Sequence, residues 1–421
     1  VFISIWRNQF TAIDSDTFDL IQATGSMTGA FSNAFVPTGV EASTLGIIAG
    51  ASDIFRLTTD SVSSNIIFWT GDNGTGIWND ALNWAGGVIP GAADYAIIDN
   101  FVNINVDDVR TVKGFTALDD MTITGQLTAT NDSKIGGLLL NSVSGTGLII
   151  NGQTLNIGLM TLLQSDIGGA GSIFSIGEID AQNTSALTIA PTVTSAGGIA
   201  KTLGAGALIF SDTLTSTGDI SILNGSMVIG GAFTNAGNLF IGSATTLNVS
   251  AAGMTNEKTG EIQGAGTISG DILNHGIIGP DDEAAFDSTT TFNINGDLTL
   301  TDTSTLVFDI GGNLQGDNYD LLDITGSITF GGTLIMFWDD SFSASDADTF
   351  DFLQYTGTQS GSFKREVVPV GVEAHTFNTS PGTPNIYQLS TDTVGNVVFW
   401  DPNTFGSYWN VDSTWRGGVG P

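Results

Sequence analysis

Apolar residues along the chain come in short runs of three to five, broken by Gly, Asn, Thr, Ser and Asp. Inside the runs, inward residues are expected to alternate with outward ones, as at Leu239 and Ile241 or Ile268 and Ile272. A period of two sends successive side chains to opposite faces of a strand. The texture therefore predicts many short strands joined by turns rather than helices. Lys, Arg and Gln, all good helix formers, are scarce.

The runs recur. Thr192-Val193-Thr194-Ser195-Ala196-Gly197-Gly198-Ile199 matches Thr213-Leu214-Thr215-Ser216-Thr217-Gly218-Asp219-Ile220, 21 residues later. Phe233-Thr234-Asn235-Ala236-Gly237, Met254-Thr255-Asn256-Glu257 and Ile272-Leu273-Asn274-His275-Gly276 continue the series, with spacings between 16 and 23. A period near 20 with strand-type alternation marks a β-solenoid, each coil holding two or three short strands. Gly and Asn fit its turns because they tolerate positive φ. Asn235, Asn256 and Asn274 are expected to stack as a hydrogen-bonded ladder. A body from about 68 to 310 would hold roughly 12 coils and rise about 60 Å at ~4.8 Å per coil. Immunoglobulin-like sandwiches would instead give units of roughly 100 residues, and no such period is visible.

A second, longer repeat encloses the first. Asp16-Thr17-Phe18-Asp19-Leu20-Ile21-Gln22 returns as Asp348-Thr349-Phe350-Asp351-Phe352-Leu353-Gln354, an offset of 332. Pro37-Thr38-Gly39-Val40-Glu41-Ala42 returns as Pro369-Val370-Gly371-Val372-Glu373-Ala374 at the same offset. Trp78-Asn79, Trp84 and Gly86-Gly87-Val88 return as Trp409-Asn410, Trp415 and Gly417-Gly418-Val419, now at 331. Duplication explains this. The predicted organisation is an end-cap of one unit over 1–66, a β-solenoid body with a Trp-rich opening over 67–310, a second end-cap over 311–398, and the start of another unit over 399–421. Such a window is expected to come from a longer tandem-repeat polypeptide, and no signal peptide is visible in it. All eight tryptophans, Trp6, Trp69, Trp78, Trp84, Trp338, Trp400, Trp409 and Trp415, lie in the duplicated ends. They are expected to pack the junctions between cap and unit, with sugar stacking as the alternative.

Two blocks resemble a known family. Gly264-Ala265-Gly266-Thr267-Ile268-Ser269-Gly270-Asp271-Ile272-Leu273-Asn274-His275-Gly276-Ile277-Ile278 resembles the last coils of autotransporter-type passenger domains. Asn295-Gly296-Asp297, Gly316-Asp317-Asn318-Tyr319-Asp320, Thr325-Gly326-Ser327 and Gly331-Gly332-Thr333-Leu334 follow, in an order similar to the end-cap of right-handed parallel β-helices on bacterial surfaces. Trp78 to Asp94 looks like the opening motif of repeats in very large bacterial adhesins. The family's Pro-Gly-Asn/Ser turn is replaced here by Gly279-Pro280-Asp281-Asp282-Glu283, and no outer-membrane barrel follows the cap, so autotransport itself is not implied. The resemblance implies an all-β, parallel β-helix repeat, extracellular or on the bacterial cell surface; it specifies architecture better than function.

Charge narrows the partners. Ten Lys plus Arg stand against 43 Asp plus Glu, a formal net charge of −33. That surface repels phosphate backbones and anionic lipid, and attracts divalent cations. No run reaches the roughly 18 apolar residues of a membrane helix. With no Cys, thiol catalysis and Cys-based zinc sites are excluded. His275 and His375 are the two histidines, placed in a coil turn and a cap loop with no nucleophile motif beside them. The carboxylate clusters Asp107-Asp108, Asp119-Asp120 and Asp281-Asp282-Glu283 are what 43 acidic residues produce freely, and acid–base work needs a pair at a defined gap. Asp14 and Asp16 and the matching Asp346 and Asp348 read first as solvated turns, and calcium is the one cofactor such spaced carboxylates would suit. The chain therefore reads as a non-enzymatic structural repeat of a fibre, stalk or coat. Its expected partners are neighbouring repeats or copies of itself, and surface glycans if it is adhesive. The alternative is a polysaccharide-degrading β-helix enzyme or a tailspike-like carbohydrate binder.

Overall fold

The structure, a computed structural model, describes residues 2–5, 10–31, 34–50, 52–99, 103–141, 145–280, 290–339 and 342–395. It is all-β, and its long sheets are parallel, as in a parallel β-helix. The chain divides into two compact units, Val1–Thr215 and Ser216–Pro421.

In the first unit each coil contributes one strand to each of three faces. The first face stacks Tyr95–Ile98, the start of Gly114–Ile123, Ser133–Leu140, Gln153–Asn156, Ser172–Ser175 and Thr192–Ser195. The second carries Ile104–Val106, the end of Gly114–Ile123, Met160–Leu162, Ile179–Ala181 and Ile199–Lys201. The third carries Val109–Val112, Gln126–Ala129, Thr146–Ile150, Asp166–Gly168, Leu187–Ile189 and Ala207–Phe210. Parallel, in-register stacking places like positions above one another. Met121, Leu138, Met160, Ile179 and Ile199 thus form one buried inward column.

The second unit repeats the plan, with Phe233–Asn235, Met254–Asn256, Ile272–Asn274 and Leu298–Leu300 on its first face. Parallel stacking does not stop near 310. It continues through Leu321–Ile324, Thr333–Trp338, Thr349–Tyr355 and Arg365–Val367, so much of the segment expected to be cap is still coil. The distinct cap element is the antiparallel hairpin of Val372–Ser380 and Asn385–Val394, joined to Thr349–Tyr355. Phe352 packs against the hairpin's own Phe377 and Tyr387, whose rings stack at 5.7 Å.

The corner after the first face explains the short sequence repeat. Its motif is Asn or Ser, any residue, then Gly. The first side chain turns back to the glycine carbonyl: Ser175 Oγ donates to Gly177 O at 2.6 Å, and Asn235 Nδ2 to Gly237 O at 2.9 Å. The glycine is required because coils meet there. A Cβ on Gly177 would lie 1.9 Å from Gly158 O, closer than any real contact. The asparagines form the expected ladder, buried inside the corner. Asn235 Nδ2 donates to Asn256 Oδ1 and Asn256 Nδ2 to Asn274 Oδ1, each at 2.8 Å.

Asn256→Ala removes the middle rung and leaves buried neighbours unmet, a cost of about 1–3 kcal/mol. Urea unfolding followed by circular dichroism should show that loss, whereas the exposed Leu273→Ala on the next coil should change stability by less than about 0.5 kcal/mol.

Candidate functional site: the junction between cap and coil

The first coil is covered by a compact tryptophan motif. Trp69, Trp78 and Trp84 are each at most 2% exposed. The Trp84 ring meets Trp69 edge-on at 4.9 Å and Trp78 at 4.8 Å, and its Nε1 donates to Trp78 O at 2.7 Å. The motif is tied to the coil by backbone bonds, Trp69 N–H to Ile97 O at 2.8 Å and Trp78 N–H to Asn105 O at 3.0 Å. Buried Asn83 fixes the loop, donating from Nδ2 to Thr75 Oγ1 and Ile77 O and accepting from the Asn73 amide. Hydrogen bonds from Asn73, Thr75 and the Leu82 amide hold the Asp80 carboxyl below the usual carboxylate range. These three tryptophans therefore close the coil's own end. Trp338 has a different place: half-buried beside Phe342 and Phe350, it donates from Nε1 to Val370 O at 2.7 Å. Trp6, Trp400, Trp409 and Trp415 lie outside the described residues.

The contact between the leading cap and the coil is made elsewhere, by residues 34–41. They run across the outside of the first face. There Thr116, Lys134, Leu155 and Phe174 form one outward column, one residue per coil. Outward positions should be wet, yet all four are at most 7% exposed. Thr194, next in the same column, is exposed, so the cover ends at Phe174. Phe35 packs on Leu155 and Phe174, its ring 5.6 Å from that of Phe174. Thr38 Oγ1 lies 2.6 Å from Thr116 Oγ1. Lys134 Nζ donates to Val36 O at 2.6 Å, and Lys113 pairs with Glu41. Gly39 takes φ +95°, and a Cβ there would meet Ile66 Cδ1 at 2.5 Å, so only glycine lets the segment lie this close.

Sequence reading missed this seat. Its signal is faint: at Gly114-Phe115-Thr116-Ala117 every residue is buried, but the letters read as an ordinary strand. A lysine inside a solenoid strand was the better clue.

The two caps repeat in atomic detail. Ser15 and Ala347 both take positive φ, 70° and 68°. Their amides donate to Thr59 O and Thr391 O, each at 2.5 Å. The hairpins share register and bulges: Val40 faces Val62 and Ala42 faces Ser61, as Val372 faces Val394 and Ala374 faces Thr393. The aspartates expected to bind calcium are used inside these turns. Asp14 Oδ1 accepts from the Val62 amide and Asp346 Oδ1 from the Val394 amide, each at 2.7 Å. Asp16 accepts from the Ile13 amide and Asp348 from the Ser345 amide. Among the described residues no three His, Asp or Glu side chains gather as a metal site. Asp281, Asp282 and Glu283 lie outside the described residues. His275 Nδ1 meets Thr301 Oγ1 in a coil turn, and His375 leans on Phe377.

No family model matches the chain, and no curated protein is detectably similar to it.

Two outcomes are expected. Burial pulls the Lys134 ammonium down to about 8 from 10.5, against a small upward pull from Asp132. Between those values the unfolded chain binds more protons than the folded one, so stability rises with pH from about 8 to 10.5. Lys134→Met should remove part of that rise in a pH series of urea midpoints. Lys201, also lowered by burial, acts in the same direction. In the trailing cap, Asp346→Ala with Asp348→Ala should speed protease cleavage of the 372–394 hairpin equally with calcium or chelator present. Protection that depends on calcium would assign the pair to the ion.

Proposed function

We propose that the chain is a structural repeat segment of a large secreted bacterial surface protein, whose capped coils join end to end as a fibre, stalk or coat. One observation carries the reading: the same cap occurs twice at an offset of 332, with the same turn hydrogen bonds accepted by Asp14 and Asp346, and the first copy sits on a coil. A duplicated cap with a built seat is what an array needs.

The leading cap also presents a face that its twin buries. Ile21 is 48% exposed and Leu20 38%, whereas Leu353 and Phe352 are fully buried. In the trailing copy Thr349–Tyr355 pairs with Leu321–Ile324 of its coil. The leading cap is thus shaped to lie on the end of another coil. An exposed apolar strand edge of this kind invites association. The reading has no catalytic step: Thr38, Thr116 and Lys134 serve the seat as structural donors and acceptors. No helix among the described residues is long and apolar enough to cross a membrane. The net charge of −33 suits a saline exterior where screening weakens self-repulsion.

Negative-stain electron microscopy of the full-length protein tests the proposal. Fibres or stalks with an axial repeat of several nanometres are expected. Compact particles without axial periodicity would overturn the array and favour a single β-helix enzyme or carbohydrate binder.

A further inference from the structure

The trailing cap carries a second copy of the segment that seats the first. Ala34, Phe35, Thr38, Gly39 and Glu41 correspond to Glu366, Val367, Val370, Gly371 and Glu373. The local frame is the same: Phe2 faces Ala34 and Ile3 faces Phe35, as Leu334 faces Glu366 and Ile335 faces Val367. Gly371 holds φ +95°, the value of Gly39. The Trp338 indole fixes the loop by its bond to Val370 O. What differs is cover. Thr38 is 4% exposed, while Val370 is 81% exposed and Glu373 lies open.

We infer that Pro369–Glu373 is a preformed docking loop for the first face of another copy of the coil, with Val370 against the position of Thr116 and Glu373 against that of Lys113. The inference rests on the array reading, because it names the surface by which one repeat grips the next. The occupant follows from the leading cap, where the same loop already lies on that face. Three complementary features carry over. Glu373 supplies the carboxylate that Glu41 gives to Lys113. Val368 supplies the carbonyl at the position of Val36, which accepts from Lys134. Gly371 keeps the positive φ of Gly39 and, like it, carries no Cβ to hold the loop away. Val370 keeps the shape of Thr38 with a methyl for the hydroxyl, so the hydroxyl at the position of Thr116 loses the partner it has in Thr38. A glycan or unrelated protein would have no reason to match a loop whose twin is fitted to this coil.

The test is the full chain extended beyond Pro421 by a second copy of residues 91–215, since 399–421 already repeats 68–90. Carbodiimide coupling joins a carboxylate to an amine only when they touch. In the monomer fraction, mass spectrometry should find Glu41 linked to Lys113 and, as the new product, Glu373 linked to the added Lys113. Val370→Asp should reduce the second link at least tenfold and leave the first unchanged. An added coil that resists protease as the original does, yet gives no Glu373 link, would overturn the inference. So would an added coil that fails to fold behind the intact cap, because the loop is its seat. The array reading fails separately. A Glu373 link without fibres would keep the docking loop and remove the array. Fibres without the link would keep the array and remove the loop.

Discussion

A parallel coil satisfies its backbone sideways: each strand finds its partners in the coil above and the coil below. The first and last coils each lack one neighbour, and an open row of N–H and C=O groups templates uncontrolled pairing. Everything distinctive in this chain answers that constraint. The Trp69, Trp78 and Trp84 motif closes the first coil, and the Val372–Ser380 and Asn385–Val394 hairpin turns the last strands antiparallel. The body between needs no large aromatic ring from 85 to 337 beyond phenylalanine and tyrosine, because its columns are filled by Leu, Ile, Met and Val.

Much of this was legible in the letters. The 21-residue recurrence gave the coil, since stacking like on like forces the same residue at the same corner. The ladder of Asn235, Asn256 and Asn274 followed from it. The duplicated ends matched two hairpins of the same register. The extent of the coil was less legible: near Thr333–Trp338 and Thr349–Tyr355 the turns lengthen and the short period is lost, although the strands still stack. The seat on the first face was not legible at all. Thr116, Lys134, Leu155 and Phe174 look like solvent positions by alternation. Only the segment carrying Phe35 and Thr38, some 80 to 140 residues away in sequence, buries them.

That seat holds cap to coil in an acidic chain without relying on charge. Its energetics rest on Phe35 packing, on one shared hydroxyl contact and on a buried lysine that meets a carbonyl. The Lys113–Glu41 pair is partly exposed and contributes little by itself. Buried polar contacts of this kind cost much when mismatched, so they fix the register of residues 34–41 on the face.

Hydrogen exchange of the full chain tests the capped coil most directly. Protection reports how often a strand opens. If the tryptophan motif and the leading cap close the first coil, the amides of Tyr95–Ile98 and Ile104–Val106 should exchange as slowly as those of Gln153–Asn156 deep in the stack. First-coil amides that exchange within seconds while the inner ones stay protected would mean a frayed, open end, and would contradict the account.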